Sequence, residues 1–310
     1  MTLYADIFGA RLVGTLMRHL HHQLKRFFNA RDVEDSSVQM VEILKLLKEA
    51  NDSSRLIPAE RFYVKDLAVH VDLATDYIRW SNYLVLSKQP QMQRSPQQIA
   101  EPFSFCRYNF LIDPLTKSRI LRLEHIITQA HQQVRSLVPV CMIRVRRSHL
   151  MEDALPQLSR LHADALKKQL QVEFIGEQGM DAGGLTQELF EMVTRELMKP
   201  AYGLFVYNEE LRTYWYDCSH VGASPEEQQK KLDLYRTAGV VVGTACFHGV
   251  SIHANFPSVL YKKLLGHKIT LDDLKLLDPV VGNSLQALLD YDGPDVENVF
   301  CLDFTASTVS

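Results

Sequence analysis

The segment from Leu170 to Phe190, LQVEFIGEQGMDAGGLTQELF, constrains the fold most, because it joins a strand pattern to a helix pattern through a glycine-rich loop. Leu170, Val172 and Phe174 alternate with residues of the opposite face, which is typical of a strand with a buried side. A helical spacing follows, at Leu185, Leu189, Val193 and Leu197. The loop between them holds Gly176, Gly179, Gly183 and Gly184. The segment therefore predicts a strand, a shaped loop and a helix.

A glycine-rich loop between a strand and a helix first suggests a phosphate site, but both standard patterns fail. G-x-G-x-x-G is absent, and no Lys-Ser/Thr pair follows the glycines. Glu177 and Asp181 would also repel a bound phosphate. We therefore exclude nucleotide binding and expect these carboxylates to accept backbone hydrogen bonds or to pair with arginines.

Composition places the 310 residues among ordinary globular chains, with 46% hydrophobic and 23% charged residues. A net charge of −3 gives no global field for nucleic acid or an anionic membrane. The N-terminus does not read as a signal peptide, and no apolar run approaches the roughly 18 residues of a membrane span. Five scattered cysteines suggest reduced thiols in the cytosol or nucleus.

The first hundred residues favour helices. Leucines four residues apart indicate a first helix, at Leu12, Leu16, Leu20 and Leu24. A second helix should begin at residues 35–37, and a third should run from about residue 59 to residue 86. The polar stretch 87–101 contains two prolines and no periodicity, so it is the predicted boundary between domains.

The rest of the chain alternates short strands with helices. We expect a turn at 114–117, a helix at 120–137, a strand at 140–145 and a helix capped by Ser148. We expect Arg144, Arg146 and Arg147 to pair with acidic side chains. The later elements should be a hairpin at 202–216, a helix from Ser224 with a buried small-residue stretch at 232–247, helices from Thr270 and Asp278, and a strand at 299–304.

No catalytic motif stands out by spacing: G-x-S-x-G, H-E-x-x-H and C-x-x-C are all absent. His19 and His22 share a helix face, but no further ligand completes a metal site, so we interpret them as surface histidines. Cys246 reads as a small buried helix residue. The residues alone therefore predict no metal and no cofactor.

Collinear segments over about two thirds of the chain closely resemble the N-terminal lobe of HECT-type ubiquitin ligases. These segments are RVRRSHLMEDAL (144–155), ALKKQLQVEFIGEQGMDAGGLTQELF (165–190), YGLFVY (202–207), GVVVGTACFHGVSIHANFP (239–257), YKKLLG (261–266), LDPVVGNSLQALLDYDG (277–293) and FCLDF (300–304). FSFCRYNFLI (103–112) is similar to the segment that leads into this lobe in one subgroup of the family.

The resemblance implies participation in ubiquitin transfer. HECT ligases accept ubiquitin from a conjugating enzyme as a thioester on a cysteine and pass it to a substrate lysine. That cysteine lies in a second, C-terminal lobe, which we expect this chain to lack. Cys301 falls in a strand of the N-lobe pattern, so we assign no catalytic residue here. The implied partners are a ubiquitin-conjugating enzyme, ubiquitin and an unknown protein substrate, with no nucleic acid and no membrane.

In the family, a small subdomain late in the N-lobe binds the conjugating enzyme, and here it would span residues 237–304. Its exposed apolar side chains should receive an apolar loop of the partner. Many members carry an aromatic residue at the position of Gly282. The candidate contact residues are Val281, Leu285, Leu288, Leu289, Tyr291 and Phe300.

We therefore expect a mainly helical α+β protein with a helical region at 1–100 and a HECT-like N-lobe at 101–310. The function that we expect is an incomplete ligase that docks a charged conjugating enzyme. Two alternatives stay open at this point. One is a non-catalytic protein that sequesters the conjugating enzyme, and the other is a purely structural helical scaffold.

Overall fold

The computed structural model describes residues 2–28, 35–54, 56–88, 101–135, 137–138, 140–179, 181–218 and 224–301. The chain divides into two compact units, Met1–Ile127 and Thr128–Ser310. Helices dominate and the described strands form two small sheets, so the mainly helical α+β prediction is confirmed. The predicted division near residue 100 falls at residues outside those ranges and stays a prediction.

The first unit is helical. Its helices are α1 (Thr2–Phe28), α2 (Asp35–Ser54), α3 (Leu67–His70), α4 (Leu73–Ser87) and the first part of α5 (Pro114–Arg135). Its core collects apolar residues from α1, α2 and the short 3-10 turns at 59–62 and 105–111. None of the helices in the described ranges is both long and apolar enough to cross a bilayer.

The buried stripe of α1 differs from the predicted one. Leu20 and Leu24 are buried, but Leu12 and Leu16 are exposed, and Met17 lies in the core instead. A strict step of four residues drifts about 40° around a helix at each step. Steps of three and four residues stay on one face, which is why Met17, Leu20 and Leu24 share the core.

The single helix predicted over 59–86 is wrong, because three short elements occupy that stretch. Asp66 has a φ of 62°, a left-handed conformation that interrupts a helix. A new helix, α4, then begins after Asp72, whose side chain accepts hydrogen bonds from the backbone amides of Ala74 and Thr75. Most of the predicted linker, residues 89–100, lies outside the described residues.

The turn predicted at 114–117 is also wrong, because α5 begins at Pro114. The Asp113 carboxylate accepts hydrogen bonds from the Thr116 amide at 3.0 Å and from the Thr116 hydroxyl at 2.6 Å. Proline suits the first position of a helix, where its missing N–H has no intrahelical role. The prediction mistook a capped helix start for a turn.

The second unit is built around a parallel pair of strands, β1 (Val140–Val145) and β2 (Gln169–Phe174). They are joined by α6 (Leu150–Arg160) and α7 (Ala163–Leu166). The predicted alternation is confirmed, since Leu170, Val172 and Phe174 are buried. Leu158 of α6 is buried in the same core. The predicted cap Ser148 is wrong, because it lies within a 3-10 turn and the residue before α6 is His149.

The rest of this core comes from α8 (Gly184–Leu197), the hairpin of β3 (Phe205–Asn208) and β4 (Thr213–Tyr216), and α9 (Pro225–His248). Ser224 and Glu227 form the predicted capping box at the start of α9. The predicted close approach at the glycines of α9 is wrong, because a Cβ at Gly239 or Gly243 would meet nothing within 4 Å. Cys246 is exposed, which corrects the prediction that it is buried.

Four short helices follow: α10 (Ser258–Leu264), α11 (Leu271–Leu277), α12 (Pro279–Leu289) and α13 (Val296–Phe300). The helices predicted from Thr270 and Asp278 are confirmed as α11 and α12. The strand predicted over 299–304 is wrong where the structure describes it. The amide of Val299 donates to the Asp295 carbonyl at 3.2 Å, and the amide of Cys301 donates to the Glu297 carbonyl at 2.9 Å. These local bonds favour a helical turn.

Candidate functional site

The glycine-rich loop needs glycine at two of its four positions. Gly176 has a φ of 91° and Gly183 a φ of 105°, conformations that side-chain-bearing residues rarely adopt. Gly184 is instead the first residue of α8 and has no positive φ. Gly179 has no positive φ either. The predicted strained turn is therefore confined to Gly176 and Gly183.

Asp181 ties the loop to the strand before it and the helix after it. Its carboxylate accepts hydrogen bonds from the Val172 amide at 2.9 Å, the Gly183 amide at 2.7 Å and the Thr186 hydroxyl. Burial acts to raise the pKa of Asp181, but these hydrogen bonds outweigh it and hold the pKa below its ordinary value. The loop carboxylate is therefore structural, as the sequence predicted.

Arg147 joins the loop to α8 through two carboxylates. Its guanidinium pairs with Glu177 of the loop and with Glu188 of α8, the second at 2.6 Å. It also lies 4.0 Å from the centroid of the Phe174 ring. Hydrogen bonds from Arg147 lower the pKa of Glu177. The prediction that the arginines pair with acidic side chains is confirmed. Because two carboxylates already pair with the Arg147 guanidinium, it is not free to bind a phosphate in this loop.

The helices α10 to α13 differ from the rest of the second unit because so many of their apolar side chains are exposed. Only Val259 and Leu260 among their large apolar residues are buried. The exposed ones are Tyr261, Leu264, Leu265, Ile269, Leu276, Val280, Val281, Leu289, Val296 and Val299. We name residues 258–301 the helical tip. Exposed apolar side chains that are concentrated in one region mark an interaction surface, whereas single scattered ones are normal.

The six predicted contact residues all lie in the helical tip. Val281 and Leu289 of α12 are 45% and 71% exposed. Leu285, Leu288, Tyr291 and Phe300 are half-buried. None of the six is fully buried, so each side chain retains surface that a partner could cover. The residues from 237 to 248, which were assigned to the same subdomain, lie in α9, whose buried face belongs to the main core.

Tyr291 and Phe300 come together although eight residues lie between them in the sequence. Their rings meet edge to face, with centroids 5.3 Å apart and planes at 81°. The Tyr291 hydroxyl donates a hydrogen bond to the Pro294 carbonyl at 3.0 Å. A Cβ at Gly293 would lie 2.5 Å from the Tyr291 ring, so a larger residue there would require the ring to shift. The ring contact therefore joins a residue just after α12 to the end of α13.

The position of Gly282 is not an exposed contact position. Gly282 is buried, and a Cβ there would lie 2.6 Å from the α-carbon of Lys275. An aromatic side chain at this place would require α11 and α12 to separate. In this chain the close packing of α11 against α12 therefore leaves no room for the aromatic residue that many family members carry at this position.

A buried carboxylate holds α10 and α11 together. Asp273 accepts hydrogen bonds from the Thr270 amide at 3.0 Å and the Thr270 hydroxyl at 3.1 Å, and it pairs with Lys262 of α10. The hydrogen bond from Lys262 is the main cause of the lowered pKa of Asp273, and burial opposes it. The Asp273 carboxylate therefore links α10 to the first turn of α11.

Several exposed residues of the helical tip escaped the sequence analysis, which named candidates only on 281–300. Leu264 and Leu265 stand at the end of α10, directly before Gly266 with its φ of 70°. Leu276 and Val280 are exposed on α11 and α12. An apolar pair before a helix-ending glycine is a signal that could have identified the first two.

The cysteines and histidines show no built reaction centre in the described ranges. Burial, with the nearby Asp76 carboxylate, raises the pKa of Cys106 to about 12. Burial also raises the pKa of Cys141. Both thiols are therefore poor nucleophiles. Within the described residues, no group of three or more metal-capable side chains has the geometry to hold a metal ion.

Comparison with known proteins places the described fold beside one family of enzymes. Residues 191–310 match the family described as HECT-domain (ubiquitin-transferase). The chain is 33% identical to the probable E3 ubiquitin-protein ligase HERC4 of Mus musculus and 34% identical to the probable E3 ubiquitin-protein ligase HERC3 of Homo sapiens. Each alignment covers 86% of this chain. It is 32% identical to the probable E3 ubiquitin-protein ligase mug30 of Schizosaccharomyces pombe over 96% of this chain.

The chain spans only a quarter to a third of these relatives, covering 26% of the HERC4 and HERC3 sequences and 34% of the mug30 sequence. The matched residues 191–310 include the second half of α8, β3, β4, α9 and the whole helical tip. Residues 191–310 thus carry part of a HECT domain, and the chain is homologous to HECT-type ubiquitin ligases over about 86% of its length.

Proposed function

We propose that this chain takes part in ubiquitin transfer by docking a ubiquitin-conjugating enzyme on the helical tip. The observation that carries the proposal is the set of ten exposed apolar side chains on residues 258–301, within the part of the chain that matches the HECT family. The main core of the same unit buries its apolar residues almost completely. An unburied apolar surface of this kind is suited to a partner protein.

The contact on the partner should be apolar. Leu289 and Val281 expose apolar surface on α12, and the half-buried Leu285 and Leu288 lie on the same helix. A loop of the conjugating enzyme that carries an apolar side chain could bury it against them, as a central contact in a small interface. Small transient interfaces bind weakly, so we expect an affinity on the order of micromolar.

The proposal gives the docking step to the helical tip and gives none of the five cysteines a thioester role. Cys106 and Cys141 are shielded and have raised pKa values. Cys301 is exposed but its thiol donates to the Asn298 carbonyl at 3.2 Å, within a helical turn. Ubiquitin and a substrate protein would be the further partners of the transfer.

An NMR titration tests the proposal. The 310-residue chain is added to a panel of ¹⁵N-labelled conjugating enzymes, and amide shifts are followed to millimolar concentrations of the chain. The proposal expects shifts confined to one loop region of at least one enzyme, with a dissociation constant on the order of micromolar. A folded chain that shifts no enzyme in the panel would overturn the proposal.

A further inference from the structure

A basic pocket lies in the first unit, far in sequence from the HECT match. Its volume is about 790 Å³, and it is formed between α1 and residues 57–65. Five basic side chains line it: Arg11, Arg18, Lys25, Arg61 and Lys65. Glu60 is the acidic residue of its lining. We name this concavity, with the side chains that line it, the basic pocket. Its volume falls within the range of pockets that hold small molecules.

Three of the cations form a row. Arg11, Arg18 and Lys25 are spaced seven residues apart on α1. Seven residues are close to two helical turns, so the three side chains lie on one stripe with successive α-carbons about 10.5 Å apart. Gly14 and Thr15 stand between the first two and also line the pocket. Because Gly14 and Thr15 are small, they leave space in the pocket between Arg11 and Arg18.

Most of this positive charge is not neutralised within the described part of the chain. Lys25 has one long contact, 3.5 Å, with Asp66. Arg18 donates to the Gly14 carbonyl at 3.3 Å and to the Thr15 hydroxyl at 3.2 Å, which leaves other guanidinium N–H groups available. Arg11, Arg61 and Lys65 pair with no carboxylate among the described side chains.

The lining of the pocket also contains a histidine ring. His21 lines the pocket, and its Nε2 atom is buried without a hydrogen bond. Burial and the neighbouring Lys25 lower the pKa of His21, which favours the neutral ring. His21 therefore adds a polar ring to the lining of the pocket, beside the five basic side chains.

We propose that the basic pocket binds a compact small molecule that carries several phosphate groups. Guanidinium groups bind phosphate oxygens in a bidentate manner, and ammonium groups add point charges. Five cationic side chains around one concavity could bind a small ring compound that carries several phosphate groups. The same headgroup chemistry occurs free in solution and on phosphoinositide lipids.

A nucleic acid fits the observations less well. The chain as a whole has a net charge of −3, whereas nucleic-acid binding usually needs a basic stripe that follows an extended backbone. Here the row on α1 is short, and Arg61 and Lys65 lie across the same concavity of about 790 Å³ from it. A small polyanion matches that shape, and RNA binding becomes an outcome of the test.

The test is isothermal titration calorimetry of the 310-residue chain with inositol hexakisphosphate. We expect binding in the micromolar range that weakens as salt rises. Arg18→Gln should weaken binding about tenfold, because it removes a charge-assisted hydrogen-bonding group. Arg79→Gln is the matched control, since Arg79 is an exposed arginine of α4 outside the pocket. It should change the affinity less than twofold.

Vesicles with a phosphoinositide identify the source of the phosphates. Binding to such vesicles that is lost in Arg18→Gln, without binding to the free compound, would support a lipid headgroup in the same pocket. No binding of either probe by a chain that melts normally would overturn the proposal. Equal losses in Arg18→Gln and Arg79→Gln, or a stronger Arg18-dependent interaction with RNA, would overturn it as well.

Discussion

Gly282 of α12 lies directly against Lys275 of α11: a Cβ added at Gly282 would be 2.6 Å from the Lys275 α-carbon. The Lys275 ammonium also donates to the side-chain carbonyl of Gln286 at 2.9 Å, one turn further along α12. The two helices therefore meet backbone to backbone with a polar bond beside the contact. This contact orients the α12 surface that carries Val281 and Leu289.

Gly282→Ala should destabilise the helical tip, because a methyl group cannot fit against the backbone of Lys275. Overpacking of this kind typically costs about 1 to 3 kcal/mol. The measurement is hydrogen exchange of the α11 and α12 amides. Gly239→Ala is the control, since α9 leaves open space there and alanine favours a helix by up to about 1 kcal/mol over glycine. Unchanged exchange in Gly282→Ala would contradict the close contact.

Gly183→Ala should destabilise the chain and Gly184→Ala should not. Gly183 has a φ of 105°, where a Cβ is strained, whereas Gly184 begins α8 with open space around it. We expect a loss of more than about 1 kcal/mol for the first variant. Thermal or urea unfolding of both variants beside the parent decides the matter. Equal stabilities for the two variants would show that the turn is not strained at Gly183.

Asp181→Asn should destabilise the chain in a pH-dependent manner. The pKa of Asp181 is lower in the folded chain than its ordinary value of about 3.9. The carboxylate therefore stabilises the fold above about pH 4, and this contribution is lost as the pH falls through the folded-state pKa. We expect a loss of about 1 to 2 kcal/mol at pH 7, because three hydrogen bonds weaken.

Urea unfolding of parent and Asp181→Asn between pH 3 and pH 7 measures this effect. The difference in unfolding free energy should shrink toward the acidic end of the series. A difference that stays constant over the whole range would mean that the charge of Asp181 does not support the loop.

The sequence predicted best where one local pattern had one physical outcome. The alternation of Leu170, Val172 and Phe174, the capping box of Ser224 and Glu227, and the helix starts at Thr270 and Asp278 all held. Each depends on a periodic pattern or a helix cap, which residues close together in the sequence determine. The acidic partners of the arginines were also foreseen, although their identity required the fold.

The errors arose where a local signal has two outcomes. Asp113-Pro114 is compatible with a turn or a capped helix, and the Thr116 hydrogen bonds select the helix. The apolar run near Phe300 is short enough for a strand or a helical turn. The exposure of Cys246 and the burial of Gly282 depend on which other helices pack beside them. The sequence pattern of a single helix does not contain that information. The basic pocket combines residues more than 40 apart, which spacing cannot reveal.

The affinity of a conjugating enzyme for Leu289→Ala tests the central claim most directly. Leu289 is 71% exposed, so its truncation should leave the melting temperature unchanged. Leu232→Ala on α9 is the matched control, since this leucine is 60% exposed outside the helical tip. With an enzyme that binds the parent chain, we expect Leu289→Ala to lose more than about 1 kcal/mol of binding free energy, roughly fivefold in affinity, and Leu232→Ala to bind like the parent. Equal affinity of all three chains would contradict docking on the helical tip.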